Sequence, residues 1–173
     1  MAVLAPKTNF DSVYVDVARL VNEKNPFVLC IQESKLSVVD DLVIKALWGD
    51  GPNYSYQPSV GASGGLVSVW DSSCVNVWSS MNYGHVLVIK GTVIRSAEDF
   101  VIMNVYAPCD SMAKKDLWDN LTSIIANCND SCLCVCGDFN SVRNVEEKKG
   151  RGSVFRQVDA DLFNNFTDDK LTD

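Results

Sequence analysis

Four polar positions share one kind of address in the sequence, at or just past the end of an apolar run that reads as a strand. Glu33 follows Phe27-Val-Leu-Cys-Ile31, Asn104 or Tyr106 marks the end of the run 100–106, and Asp138 and Asn140 follow Cys132-Leu-Cys-Val-Cys136. Loops rooted at strand ends build sites well, because the sheet fixes where they start. A carboxylate at each of two strand ends, Glu33 and Asp138, suits a hard divalent cation. Mg²⁺ takes oxygen ligands, often one or two carboxylates, and completes its octahedron with water and substrate phosphate. The same residue types also cap strand ends for solvation alone, and spacing leaves both readings open.

The elements that must position these residues alternate in period. Residues 11–25 carry Val13, Val17, Leu20 and Val21 at helical spacing, with Asn25-Pro26 as the stop. Residues 27–31 read as a strand buried on both faces. Residues 38–47 fit a second helix closed by Gly49, and 49–65, rich in Gly, Pro and Ser, reads as loop. Four strands are predicted at 66–70, 75–78, 85–94 and 100–106, with short spacers that imply hairpins and antiparallel pairing. A helix over 111–128 carries Leu117, Leu121, Ile124, Ile125 and Cys128 on one stripe. A strand at 132–136, a polar loop over 141–155 and a helical pattern at Val158, Leu162 and Phe166 complete the chain. Hairpins mixed with helix-bearing crossovers give an α/β or α+β sandwich of two sheets flanked by helices.

Composition narrows the class. Of 173 residues, 47% are hydrophobic and 21% charged, which is ordinary globular usage and excludes disordered, collagen-like and coiled-coil chains. No apolar run approaches the roughly 18–20 residues that span a bilayer, and the start lacks the charged region of a secretory signal. Fifteen Lys and Arg against 22 Asp and Glu give a net charge of −7, so a broad electrostatic footprint for nucleic acid is not expected. A local one is: Arg143, Lys148, Lys149, Arg151 and Arg156 outnumber Glu146 and Glu147 in one loop, although a solvated loop explains them as simply. Seven cysteines, an odd number with no paired zinc spacing, read as small buried hydrophobes in a reducing nuclear or cytoplasmic setting. Trp48, Trp70, Trp78 and Trp118 are expected in the core. Gly61-Ala-Ser-Gly-Gly65 lacks the Lys-Ser/Thr of a phosphate cradle and reads as a turn supporting the next strand. His85, the single histidine, reads as a turn-proximal surface residue.

Four motifs in order carry more than their spacing: Cys30-Ile-Gln-Glu-Ser-Lys35, Gly61-Ala-Ser-Gly-Gly-Leu66, Asn104-Val-Tyr-Ala-Pro108 and Gly137-Asp-Phe-Asn140. Together they resemble the successive motifs of the endonuclease/exonuclease/phosphatase superfamily. The run from Gly137 to Gly150 is similar to the endonuclease domain of plant LINE-type retrotransposons, which nicks DNA to prime reverse transcription. The resemblance implies a DNase I-like two-sheet fold and Mg²⁺- or Mn²⁺-assisted phosphodiester hydrolysis of DNA. It implies Glu33 as metal ligand and Asp138 as the residue that orients the attacking water or protonates the leaving oxygen. It further implies Asn140 and Tyr106 as phosphate-holding groups. From the loop's local charge surplus alone, Arg143, Lys148, Lys149 and Arg151 are the candidate contacts to a nucleic-acid backbone. Two family motifs have no counterpart here, an Asn-bearing first strand and a final Ser-Asp-His. The expectation is therefore one partial domain, without the catalytic dyad and without turnover as written. A non-enzymatic fragment that self-associates through an exposed sheet edge, and a phosphatase or phosphodiesterase of the same superfamily, are the alternatives.

Overall fold

The computed structural model describes residues 10–61, 63–128, 131–148 and 155–170, with the side chains of 15–61, 63–128, 131–148 and 155–169. It divides into two compact units. One takes the chain through Tyr106 and adds the strand ending at Asp138, and the other holds the remainder.

In the first unit, helix α1 (Phe10–Lys24) stops where expected. Asn25 adopts a left-handed φ of 44° and donates its N–H to Val21 O at 2.8 Å, and Pro26 forbids a further turn. Strand β1 (Val28–Gln32) then enters a three-stranded antiparallel sheet of order β1-β3-β2, with β2 at Asn53–Gln57 and β3 at Leu66–Trp70. Every residue of β1 and β3 is buried, for a period-2 reason. Leu29, Ile31, Val67 and Val69 pack against Val17 and Val21 of α1 and Ile44 and Leu47 of α2 (Asp41–Trp48). Val28, Cys30 and Trp70 face the other way, onto Val75, Ile89 and Phe100 of the second sheet.

That second sheet has the order β4-β5-β6-β7, with β4 at Val75–Asn82, β5 at Val86–Val93, β6 at Asp99–Tyr106 and β7 at Cys132–Asp138. The first three pair antiparallel, and β7 lies parallel to β6.

Three readings need correction. Residues 49–65 are not all loop, because Asn53–Gln57 forms an edge strand whose Tyr54 and Tyr56 pack on the helix-side core. Its alternation is masked by the flanking Gly and Pro residues. The spacer between β3 and β4 makes no hairpin but carries the chain from one sheet to the other. Asp71 shapes that turn by accepting from Ser73 N at 2.8 Å and Ser73 Oγ at 2.7 Å, bonds that hold its carboxyl below the usual range. Trp78 is 58% exposed rather than buried, at a β-bulge that shifts the β4 register between Val77 and Ser79.

The cysteines divide. Cys30 is buried, but Cys132 and Cys134 are exposed on β7, an edge strand among the described residues. A hydrogen bond with Cys134 lowers the Cys136 thiol, but its bond to Cys30 and its burial outweigh this and push it up to about 12. The Cys134 thiol is raised too, by the same hydrogen bond and by burial. Both are protonated at neutral pH, which disfavours a role as nucleophile or metal ligand.

One polar knot ties the two sheets together. Asn104 on β6 is fully buried, and its Oδ1 accepts from Gln32 Nε2 at 2.6 Å. Its Nδ2 hydrogens are shared among Val67 O (3.0 Å), Ile31 O (3.3 Å) and Ser68 Oγ (3.3 Å). Buried amides persist only when satisfied in this way.

In the second unit, α3 (Ser111–Ala126) is capped by Asp110, which accepts from Met112 N and Ala113 N at 3.1 and 3.0 Å. Its Trp118 stacks with Phe166 and meets Phe163 of α4 (Gln157–Lys170) and Phe139. These rings form an aromatic core.

Candidate active site at the strand ends

Glu33 is the first residue past β1, and its backbone is left-handed at φ 54°, as is that of Lys35 at φ 57°. For residues with a Cβ this conformation costs about 1–3 kcal/mol each, and it persists only where neighbours dictate it. The neighbours are Gly64 and Gly65. Ser34 N donates to Gly65 O at 3.1 Å and Lys35 N to Gly64 O at 3.0 Å. A Cβ on Gly65 would lie 2.3 Å from Ser34 Oγ, so only glycine lets the two segments meet. The glycine-rich turn thus braces the loop that presents Glu33. Lys35 Nζ stands 3.9 Å from Glu33 Oε1.

The other ends line up by register. Tyr106, the last residue of β6, pairs with Asp138, the last residue of β7. Parallel partners in register project to the same face of a sheet, so the phenol and the carboxylate are neighbours on one side. Gly137 makes this pairing possible, since its φ is 144° and a Cβ there would fall 1.9 Å from Val105 O. The Gly of Gly-Asp-Phe-Asn is therefore a packing requirement.

On the far side of Tyr106 stands His85, a partner that sequence reasoning placed only on the surface. It is exposed, but Tyr106 N donates to His85 O at 3.0 Å and His85 Nδ1 lies 3.1 Å from Tyr106 O. A carbonyl only accepts, so Nδ1 carries the proton, and Nε2 is the basic nitrogen of the neutral ring.

Asn140 belongs to the second unit. Its φ is 46°, its Nδ2 donates to Ala107 O at 2.7 Å, and its own carbonyl accepts from Lys114 Nζ at 2.6 Å. Lys114, 3% exposed, is ion-paired with Asp159 at 3.0 Å. It was not among the residues expected from sequence, yet a signal exists: it lies three residues before Leu117, on the apolar stripe of α3. Burial raises the Asp159 carboxyl, but bonds from Ser111 and Lys114 and the charges of Lys114 and Arg156 bring it net below the usual range.

Among the loop cations, Arg143 is tied to its own unit. Its Nε donates to Asn164 Oδ1 at 3.0 Å, its Nη2 pairs with Asp168, and its backbone N–H donates to Glu147. Lys148 lines a cavity with Lys114 and Arg156. Lys149 and Arg151 lie outside the described residues. No group of three His, Cys, Asp or Glu side chains gathers closely enough to hold a metal among the described residues. Glu33 alone would contribute one hard carboxylate, a donor set that fits Mg²⁺, which keeps much of its water. No helix among the described residues is long and apolar enough to cross a membrane.

Residues 4–157 match the model of the endonuclease/exonuclease/phosphatase family. The chain belongs to that family. Among solved structures it is similar to an AP endonuclease from Archaeoglobus fulgidus, with TM-score 0.69 and 13% identity over 96% of this chain and 69% of that one. It is similar to the AP endonuclease LMAP of Leishmania major, with TM-score 0.65 and 16% identity over 92% and 62%. It is also similar to a truncated Caenorhabditis elegans TDP2, with TM-score 0.59 and 18% identity over 84% and 61%. Family members thus share its mixed α/β, two-sheet, DNase I-like fold over most of this chain, which spans 62% of the Leishmania protein and 61% of the worm one. A search of curated proteins finds no match.

Proposed function

We propose that the chain is a retrotransposon-type endonuclease domain whose strand ends bind a divalent cation and the phosphodiester backbone of DNA. The observation that carries this reading is the registered pair Tyr106–Asp138 on adjoining strand ends, in the same unit as the strained carboxylate-bearing Glu33. Bound Mg²⁺ would supply charge neutralisation at the phosphoryl oxygens. Glu33 would hold it. The Tyr106 phenol donates a hydrogen bond to a phosphate oxygen, and the Asn140 amide does the same. Asp138 orients the attacking water or returns a proton to the leaving oxygen. Arg143, Lys148, Lys149 and Arg151 would add backbone contacts, Arg143 at the cost of its pairing with Asn164 and Asp168.

The LINE-type assignment is supported by the wording from Gly137 to Gly150, and it favours DNA over the substrates of the family's phosphatases. These 173 residues contain no Ser-Asp-His motif and one histidine, so we expect binding without turnover from this chain alone. Loss of one partner of an acid–base pair commonly costs orders of magnitude in rate. A plasmid-nicking assay with Mg²⁺, beside Asp138→Ala, checks this. The expected result is no nicking above the variant, and Asp138-dependent nicking would refute the inactivity.

A second reading is self-association through the β4 edge, favoured by exposed Trp78 and Tyr83 at that side of the sheet. Light scattering after size exclusion decides it, because a stable monomer at high concentration removes its support.

A further inference from the structure

We infer that the second unit carries a subsite for a phosphate group, in a cavity of about 330 Å³ whose lining includes Lys114, Asn140, Ser141, Lys148, Arg156 and Asp159. It uses none of Glu33, Tyr106 or Asp138 but shares Asn140 and Lys148 with the proposed phosphodiester site, and it rests on that reading for the kind of ligand. Lys114 is the anchor. An ammonium 3% exposed is costly unless paired, and Lys114 has three N–H donors to place. One goes to Asn140 O at 2.6 Å and one to Asp159 Oδ2 at 3.0 Å, and no third acceptor stands among the described residues. Ser141 Oγ is likewise buried with no partner among the described residues. Two unsatisfied donors thus line one cavity.

Charge selects the ligand. Among the described lining residues, the cations Lys114 and Arg156 face the carboxylate of Asp159, which already accepts from Ser111 Oγ at 2.5 Å as well as from Lys114. Arg156 spends only one long bond, 3.4 Å from Nη1 to Ser111 Oγ. A water molecule would satisfy the hydroxyl but leave the surplus charge, and a cation would be repelled. A tetrahedral oxyanion offers acceptors in several directions at once and neutralises the excess. The volume, roughly ten times the ~30 Å³ share of a liquid water, admits a phosphate together with an attached sugar.

The experiment is an amide-detected NMR titration of the full chain, without metal, using inorganic phosphate in one arm and a short DNA oligomer in the other. Because no metal is present, the outcome is independent of whether Glu33 and Asp138 hold a cation. Saturable shifts at Lys114 and Ser141 are expected in the phosphate arm. Arg156→Gln should weaken that binding about tenfold and Ser141→Ala about threefold. The same residues shifting with the oligomer would identify the ligand as a backbone phosphate, whereas shifts with inorganic phosphate alone would identify a free one. No saturable shift in either arm, or affinities unchanged in both variants, would overturn the subsite and leave a water-filled cavity.

Discussion

At the scale of the residue, two side-chain economies decide what can be changed. Gly137 is bound by geometry, since a Cβ would be driven into the carbonyl of Val105 at a φ that L-residues avoid. Gly137→Ala should therefore cost about 3 kcal/mol or more, read as a lowered urea midpoint, because it parts β7 from β6 where Asp138 is held. Asn104 is bound by satisfaction. Asn104→Leu would leave the buried Gln32 amide without its acceptor and the Ser68 hydroxyl with only Cys30 Sγ, at a cost of about 2–4 kcal/mol on the same measurement. Neither loss should be confused with catalysis. Glu33→Gln, by contrast, keeps shape while removing charge, and it should leave stability from urea unfolding within about 0.5 kcal/mol of the parent.

At the scale of the element, the Lys114–Asp159 pair joins α3 to α4 and steadies Asn140. The Asp159 carboxyl lies below its usual value in the folded chain, so the unfolded chain binds the proton more readily. Its contribution is then present above the unfolded carboxylate range and is lost as pH falls through the folded value. A melting-temperature profile should show the parent losing more stability than Asp159→Asn below about pH 4. The periodicity of α3, the stop at Asn25-Pro26 and the double burial of β1 were all legible in the sequence, because each follows from local spacing and local backbone chemistry. The strand at Asn53–Gln57 was not, since Tyr54 and Tyr56 find their core only through β3, and neither was the crossing at Asp71. Of the candidate site, Glu33, Tyr106, Asp138 and Asn140 could be proposed from motif order. Lys114 and the seat of His85 beside Tyr106 depend on which strand ends and helix faces meet, information that no single stretch of sequence contains.

At the scale of the whole molecule, the net charge of −7 sets the terms for any polyanion. Arg143 is engaged by Asp168 and Asn164, which reduces its share in displacing counterions. DNA binding should be weak, and the slope of log affinity against log salt should correspond to only about two to four phosphate contacts. A steep slope would point to a basic face that the acidic composition does not suggest. The most direct test of the strand-end site is a Mg²⁺ titration of the chain, following the backbone amides of Glu33, Tyr106 and Asp138 with a phosphodiester present. The expected result is a saturable shift at these three positions that Glu33→Gln abolishes. Amides that do not move in the parent chain, or that move equally in Glu33→Gln, would contradict it.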